Sequence, residues 1–102
     1  MPRSLQTSFD TREEAYSALP DWLGHYQPVN ISSQWVFDWE AIGSLVRKRR
    51  MNTGMSLRSM AKWMSISATY LSDLERGLRP WPLERLHDAS SVLDMAERKQ
   101  SE

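Results

Sequence analysis

Between residues 38 and 93 the apolar positions fall into four stripes at helical spacing, separated by polar or glycine-containing breaks. Asp38 is placed to cap a first helix reaching about residue 52, with Ile42, Leu45 and Val46 as its buried stripe and Trp39 beside it. Ser56 caps a second, short helix that puts Leu57, Met60, Ala61 and Met64 on one face. Ser65-Ile66-Ser67 then reads as a turn with Ile66 inward. Ser67 caps a third helix facing inward through Leu71 and Leu74, with Tyr70 at its margin, and Gly77 ends it. Two helices this short cannot bury their faces alone, so they must cross closely. Ala61 is the small residue suited to that crossing. A fourth helix starts near Pro82, a residue favoured in a first turn, and buries Leu83, Leu86, Ala89 and Leu93.

The first third of the chain is less regular. Residues 1–8 carry the composition of a disordered lead. Asp10 with Glu13 three residues later marks a capping-box-like start. A helix over residues 11–19 follows, carrying Ala15, Ala18 and Leu19, and Pro20 ends it. Residues 20–37 combine Pro20, Gly24 and Pro28 with Trp22, Leu23, Tyr26, Val29, Ile31, Trp35, Val36 and Phe37, which is too apolar for a plain linker. A turn of helix is expected at 21–23 and an extended piece near 29–37. The chain thus divides into an N-terminal extension (1–37), a helical unit (38–93) and a charged tail (94–102) that frays or prolongs the last helix.

Composition narrows the chemistry. At 102 residues the chain suffices for one domain with a modest core. Cysteine is absent, which excludes disulfides, thiol catalysis and cysteine zinc sites. His25 and His87 are far apart in sequence, so no zinc site and no cofactor is expected. There is no Gly-rich phosphate loop and no nucleophile–base pair, so an enzyme is not expected. No run approaches the ~18 apolar residues of a membrane span, and Met1-Pro2-Arg3-Ser4 does not open a signal peptide. A cytoplasmic protein is expected. Net charge is zero, but residues 38–86 hold nine Lys and Arg against five acids, a balance of +4, while each flank is at −2. That is the polarity of a nucleic-acid-binding face, of modest strength.

Residues 55–77 resemble the helix-turn-helix of the Cro and phage-repressor family, the XRE type. The residues that carry the likeness are Leu45, Arg47, Arg50 and Gly54-Met55-Ser56, then Met60-Ala61, Met64 and Ile66-Ser67. They continue through Tyr70-Leu71-Ser72, Leu74-Glu75-Arg76-Gly77, Arg79-Pro80, Leu83-Glu84, Leu86, Ala89 and Leu93. The likeness spans about residues 41–93. It implies an all-α fold: a compact four- to five-helix bundle of the lambda-repressor-like type, with an N-terminal extension. Two positions depart from the family. Ser65 stands where glycine is usual, at a position that often needs a left-handed backbone. Leu57 stands where glutamine often holds a phosphate, leaving that role to Arg58 or backbone N–H groups.

On a recognition helix the N-terminal side chains facing away from Leu71 and Leu74 reach the bases. That selects Ala68, Thr69, Ser72 and Asp73, which the resemblance also matches to base-contacting positions. Ala68 and the Thr69 methyl suit a thymine methyl, and Asp73 suits cytosine N4 or, as a surface acid, a pairing with Lys62 or Arg76. No Gln, Asn or Arg stands here for bidentate reading, so specificity leans on DNA shape or on other segments. Arg58, the cap Ser67, Arg79 and either Lys48 or Arg49 are the phosphate candidates, with Arg76 a weaker one. The Arg47-Lys48-Arg49-Arg50 run spans a full turn, so its members point different ways. As a bare run it complements the helix C-terminus; the resemblance instead makes Arg50 the structural partner of Glu75. Among the tryptophans, Trp39 belongs at the core or its edge, Trp63 beside Met64 in the core or partly exposed, and Trp81 either in the core or against the sugar-phosphate backbone, the core being the commoner place for each.

The resulting expectation is a sequence-specific transcriptional regulator of phage or bacterial origin, a homodimeric repressor on a palindromic or pseudo-palindromic operator in double-stranded DNA. The extension 1–37 would enlarge the core, form the dimer interface or bind a second protein. Two other functions fit the same residues. One is an antitoxin-like protein whose residues 1–37 hold a protein partner. The other is a pure protein-interaction module that no longer binds DNA.

Overall fold

The computed structural model describes residues 8–100. It contains the five helices and, in addition, a small sheet. In chain order the elements are β1 (Ser8–Phe9), α1 (Arg12–Ala18), a 3₁₀ turn (Asp21–Leu23), β2 (Val29–Ile31), β3 (Gln34–Val36), α2 (Trp39–Asn52), α3 (Leu57–Met64), α4 (Ala68–Glu75) and α5 (Leu83–Gln100). The expected all-α fold is therefore corrected to mostly helical with a three-stranded antiparallel sheet of order β1-β3-β2. The piece expected to be extended near 29–37 is a hairpin, turned by Ser32 and Ser33 at φ +50° and +68°. Two left-handed residues in a two-residue loop match the strand twist.

Caps set most helix starts. Asp38 accepts from the Ala41 N–H, Ser56 from Ser59 and Ser67 from Tyr70. At α1 the cap is Thr11, accepting from Glu14 at 3.1 Å, rather than Asp10. Asp10 instead accepts from the Gln34 amide at 3.0 Å and ties the α1 entry to β3. The buried stripe of α2 runs through Ile42, Gly43, Val46 and Arg50, which leaves Leu45, expected inside, 38% exposed. The last helix continues unbroken to Gln100, so of the two expectations for the charged residues from 94 on, residues 94–100 prolong the helix. The disordered lead expected at 1–8 lies, except for Ser8 in β1, outside the described residues.

One apolar cluster holds the molecule. Phe9, Ala15, Leu19, Leu23 and Phe37 from the N-terminal layer join Ile42, Val46, Met60, Ala61, Leu71, Leu74, Trp81, Leu86 and Leu93. Phe37 is its aromatic hub, with ring centroids 5.3 Å from Phe9, 6.1 Å from Tyr26 and 5.4 Å from Trp39. Burial pushes the Tyr26 hydroxyl pKa up, and that oxygen accepts the Asp38 N–H. Trp22 donates to Ser90 at 2.7 Å, and His87 pairs with the Ala18 carbonyl at 3.0 Å. Trp81 is core, not surface. No helix among the described residues is long and apolar enough to cross a membrane.

Candidate nucleic-acid interface

The α3–α4 pair is a helix-turn-helix built by the turn at Ser65. Ser65 sits at φ +60°, ψ +38° and closes α3, with its N–H on Lys62 and the Ile66 N–H on Ala61. Ile66 is half-buried against the core, and Ser67 starts α4 at once. The N-terminal turn of α4 is thereby presented outward while Leu71 and Leu74 are fully buried.

Two contacts fix how α4 lies on α2. Gly43 faces the end of α4 so closely that a Cβ would come within 2.4 Å of the Leu74 carbonyl oxygen. Next to it, Arg50 and Glu75 form a buried bidentate pair, Nε to Oε2 at 2.7 Å and Nη2 to Oε1 at 2.9 Å. The remaining Arg50 nitrogen, Nη1, donates to the Met55 carbonyl at 3.0 Å, which brings the α2–α3 connection into the same knot. A planar guanidinium with both ends engaged fixes orientation as well as distance. Gly77, at φ +75°, ends the helix against the backbone of Glu40, leaving no room for a side chain.

The residues expected at DNA separate into three groups. Thr69 is exposed, and Ala68 and Ser72 are half-buried beside it on the open face of α4. Arg58, Lys48 and the cap Ser67 are exposed, as are Lys62, Arg47 and Arg76. The Ser67 hydroxyl already accepts the Tyr70 N–H. Asp73 is half-buried and pairs with Arg79 at 3.2 Å, not with Lys62 or Arg76, and Arg79 also lies over the Tyr70 ring, 5.8 Å from its centroid. Arg79 is thus folded back onto α4, where it offsets the Asp73 charge.

Arg49 does not belong to this face. Its guanidinium donates to Glu97 at 2.6 and 2.7 Å, reaches Asp94 at 2.5 Å, and stacks over Trp22 at 4.9 Å. Its place on α2 points it at α5 and the N-terminal layer, so it staples those elements rather than meeting phosphate. The carboxylate bonds push the Arg49 pKa up, and the same bonds hold Glu97 below the usual carboxylate range.

A cleft of about 260 Å³ opens where α2, α3 and α4 meet, lined by Arg47, Arg50, Leu57, Ser72, Glu75 and Arg76. Arg47 and Arg76 are its exposed cations, and Leu57 stands where the resemblance would place a phosphate-binding glutamine. The sequence marks Arg47 as part of the likeness and of a four-residue basic run, but gives it no contact of its own. Its spacing of three from Arg50, which puts both on one face of α2, is the feature that identifies it. Among the described residues, no cluster of three His, Asp or Glu suited to a metal occurs.

No curated protein matches the chain. A helix-turn-helix domain model matches residues 41–100, which runs from Ala41 in α2 to the end of α5 and includes every residue placed at this face. The chain belongs to that helix-turn-helix family, of the Cro and XRE type, whose fold is a binder of double-stranded DNA.

Proposed function

We propose that this protein is a sequence-specific transcriptional regulator, a dimeric repressor of the phage and bacterial kind that inserts α4 into the major groove. The observation that carries the reading is the pairing of a locked inner face with an open outer one. The Arg50–Glu75 pair and Gly43 hold α4 rigidly on α2, while Thr69 and its neighbours are turned outward. Arg47 and Arg76 line the cleft beside that face, and with the exposed Lys48, Arg58 and Lys62 they are the cations that suit phosphate contacts setting register. Thr69, Ser72 and Ala68 offer hydroxyls and methyls to base edges, a weak code that leaves much of the discrimination to DNA shape. Binding, not catalysis, is the activity.

The test is a mobility shift on the DNA upstream of the protein's own coding sequence against scrambled DNA, at low salt and at ~150 mM. The expected result is a complex that prefers its own DNA and survives the higher salt. Thr69→Glu with Ser72→Glu places carboxylates against the phosphates and should abolish that preference while the thermal unfolding transition is retained. Preference that persists in this double variant removes α4 as the reader.

A further inference from the structure

β2 is an edge strand whose outer side is open among the described residues. The order β1-β3-β2 leaves one side of β2 unpaired, and Val29, Asn30 and Ile31 are all exposed, Ile31 at 57%. Exposed edges are ordinarily blunted by charge, by proline or by shortness. The opposite edge, β1, is two residues long, and β2, at three, is also short. The β2 edge has no charge near it in sequence, since residues 22–37 contain no Lys, Arg, Asp or Glu. Pro28 precedes the strand and leaves its three N–H groups in place.

The hairpin determines which backbone groups face outward. β2 and β3 pair as Ile31 with Gln34, Asn30 with Trp35 and Val29 with Val36, across the two-residue turn. In such a hairpin the pair next to the turn exchanges both backbone bonds, and successive pairs alternate. Ile31 and Val29 therefore direct their N–H and C=O to β3, and Asn30 directs both of its own away from it. A second β2, antiparallel and related by a two-fold axis through Asn30, would exchange both bonds with that residue. The same register sets Val29 opposite the Ile31 of the other copy and Ile31 opposite its Val29. Those are β-branched apolar pairs on the exposed face of the sheet.

We propose that the β2 edge is the homodimer interface, joining two copies across a two-fold axis at Asn30 into a continuous six-stranded sheet. The proposal deepens the DNA-binding reading, which calls for a two-fold dimer, but the pairing itself needs no DNA. A second copy fits this edge because the register makes it self-complementary and nothing charged opposes the pairing. On the axis of an isologous contact a residue meets itself, so a charge there would face its own kind. A charge-free edge avoids that repulsion. Three-residue strands bury far less than the ~800 Å² per partner of a standard interface. The free dimer is therefore weak, and two half-sites on one DNA favour it by holding both copies together.

The chain lacks cysteine, which makes the register directly testable. Across a bonded antiparallel pair the Cα atoms stand ~5.5 Å apart, inside the disulfide range of about 4.4–6.8 Å. Asn30→Cys should oxidise to a covalent dimer well ahead of Ser91→Cys, a control on the exposed side of α5. Asn30→Pro removes the N–H on the axis but none that serves β3. It should keep the helical circular dichroism and sediment as a monomer at concentrations where the parent chain associates. Its complex on DNA carrying two half-sites should weaken while that on a single half-site does not. Cross-linking no faster than the control, or association unchanged by Asn30→Pro, would overturn the interface. So would a parent chain that stays monomeric both free and on two-site DNA. If the chain binds no DNA while Asn30→Cys still cross-links and Asn30→Pro still abolishes association, the interface stands and the DNA-binding reading falls.

Discussion

The α3–α4 pair and the N-terminal layer of residues 8–37 share one core but are attached to it by different physics. The helix pair is oriented by directional polar contacts: two serine caps, a left-handed Ser65 and the bidentate Arg50–Glu75 pair. The layer is attached mainly by shape and apolar burial, through Phe9, Ala15, Leu19, Leu23 and Phe37. The outward face of the first is cationic and that of the second carries exposed Val29 and Ile31. The contrast suits two tasks. A reading helix must be held at a fixed angle, which buried charge-assisted hydrogen bonds provide. A layer that completes a core needs area more than angle.

The largest effects should come from breaking each attachment at its centre. Arg50→Met leaves Glu75 as a buried charge without its guanidinium, which costs about 3–5 kcal/mol. Arg50→Met combined with Glu75→Met should recover much of that stability in urea titrations, since removing both partners strands no charge. The double variant should still bind DNA less well than the parent, because α4 then lacks its angular constraint. A double variant with full affinity would show that Gly43 and the apolar contacts alone orient the helix. Phe37→Ala empties the aromatic hub and should cost a comparable ~3–5 kcal/mol. Loss of that size at Phe37, in a single cooperative transition, makes the layer part of the domain. A loss near zero would make it a detachable extension.

The two regions also differ in how legible they were. Caps at Asp38, Ser56 and Ser67, the inward Met60, Ala61, Leu71 and Leu74, and the 3₁₀ turn at 21–23 could all be read from spacing. The sheet could not. Strands of two and three residues are too short for alternation to declare itself, and Ser32-Ser33 is not the Asn-Gly or Asp-Gly pair that announces a tight hairpin. Within the candidate site the basic run 47–50 was visible, but its partition was not. Consecutive helix positions step ~100°, so Arg49 and Arg50 face different neighbours. Only the packing of α5 shows that Glu97 and Asp94 wait on one side and Glu75 on the other. Asp73 was likewise settled by Arg79, a residue beyond the helix end that folds back.

Both regions place serine where glycine is the easier choice, which gives a smaller and more discriminating pair of changes. Ser65→Gly removes the steric cost at φ +60° and should stabilise by roughly 0.5–1 kcal/mol, net of the extra freedom glycine has when unfolded. Ser32→Asn with Ser33→Gly supplies the preferred residues of a turn with two left-handed positions and should stabilise by a similar amount. Thermal unfolding reads both. If the hairpin melts with the core, the two gains appear in the same transition and add, as expected for distant sites. A gain from Ser65→Gly alone would mean the hairpin opens before the helices do.

The smallest effect concerns the seam between the two regions. Arg49 reaches from α2 to Glu97 and Asp94 on α5 while stacking on Trp22 of the N-terminal layer. Hydrogen bonds from Arg49 lower the Glu97 pKa in the folded chain. A carboxylate with a lowered folded pKa adds stability that is fully present above its unfolded value and disappears as pH falls through the folded one. The Glu97 contribution should therefore hold through neutral pH and be lost below about 4.5, its ordinary value. Because the group is partly exposed, salt should weaken the contribution as well. Glu97→Gln should lower the melting temperature slightly at pH 7 and converge with the parent at acid pH. Equal melting temperatures at pH 7 would leave Trp22 stacking and apolar burial as what joins the layer to the helices at this seam.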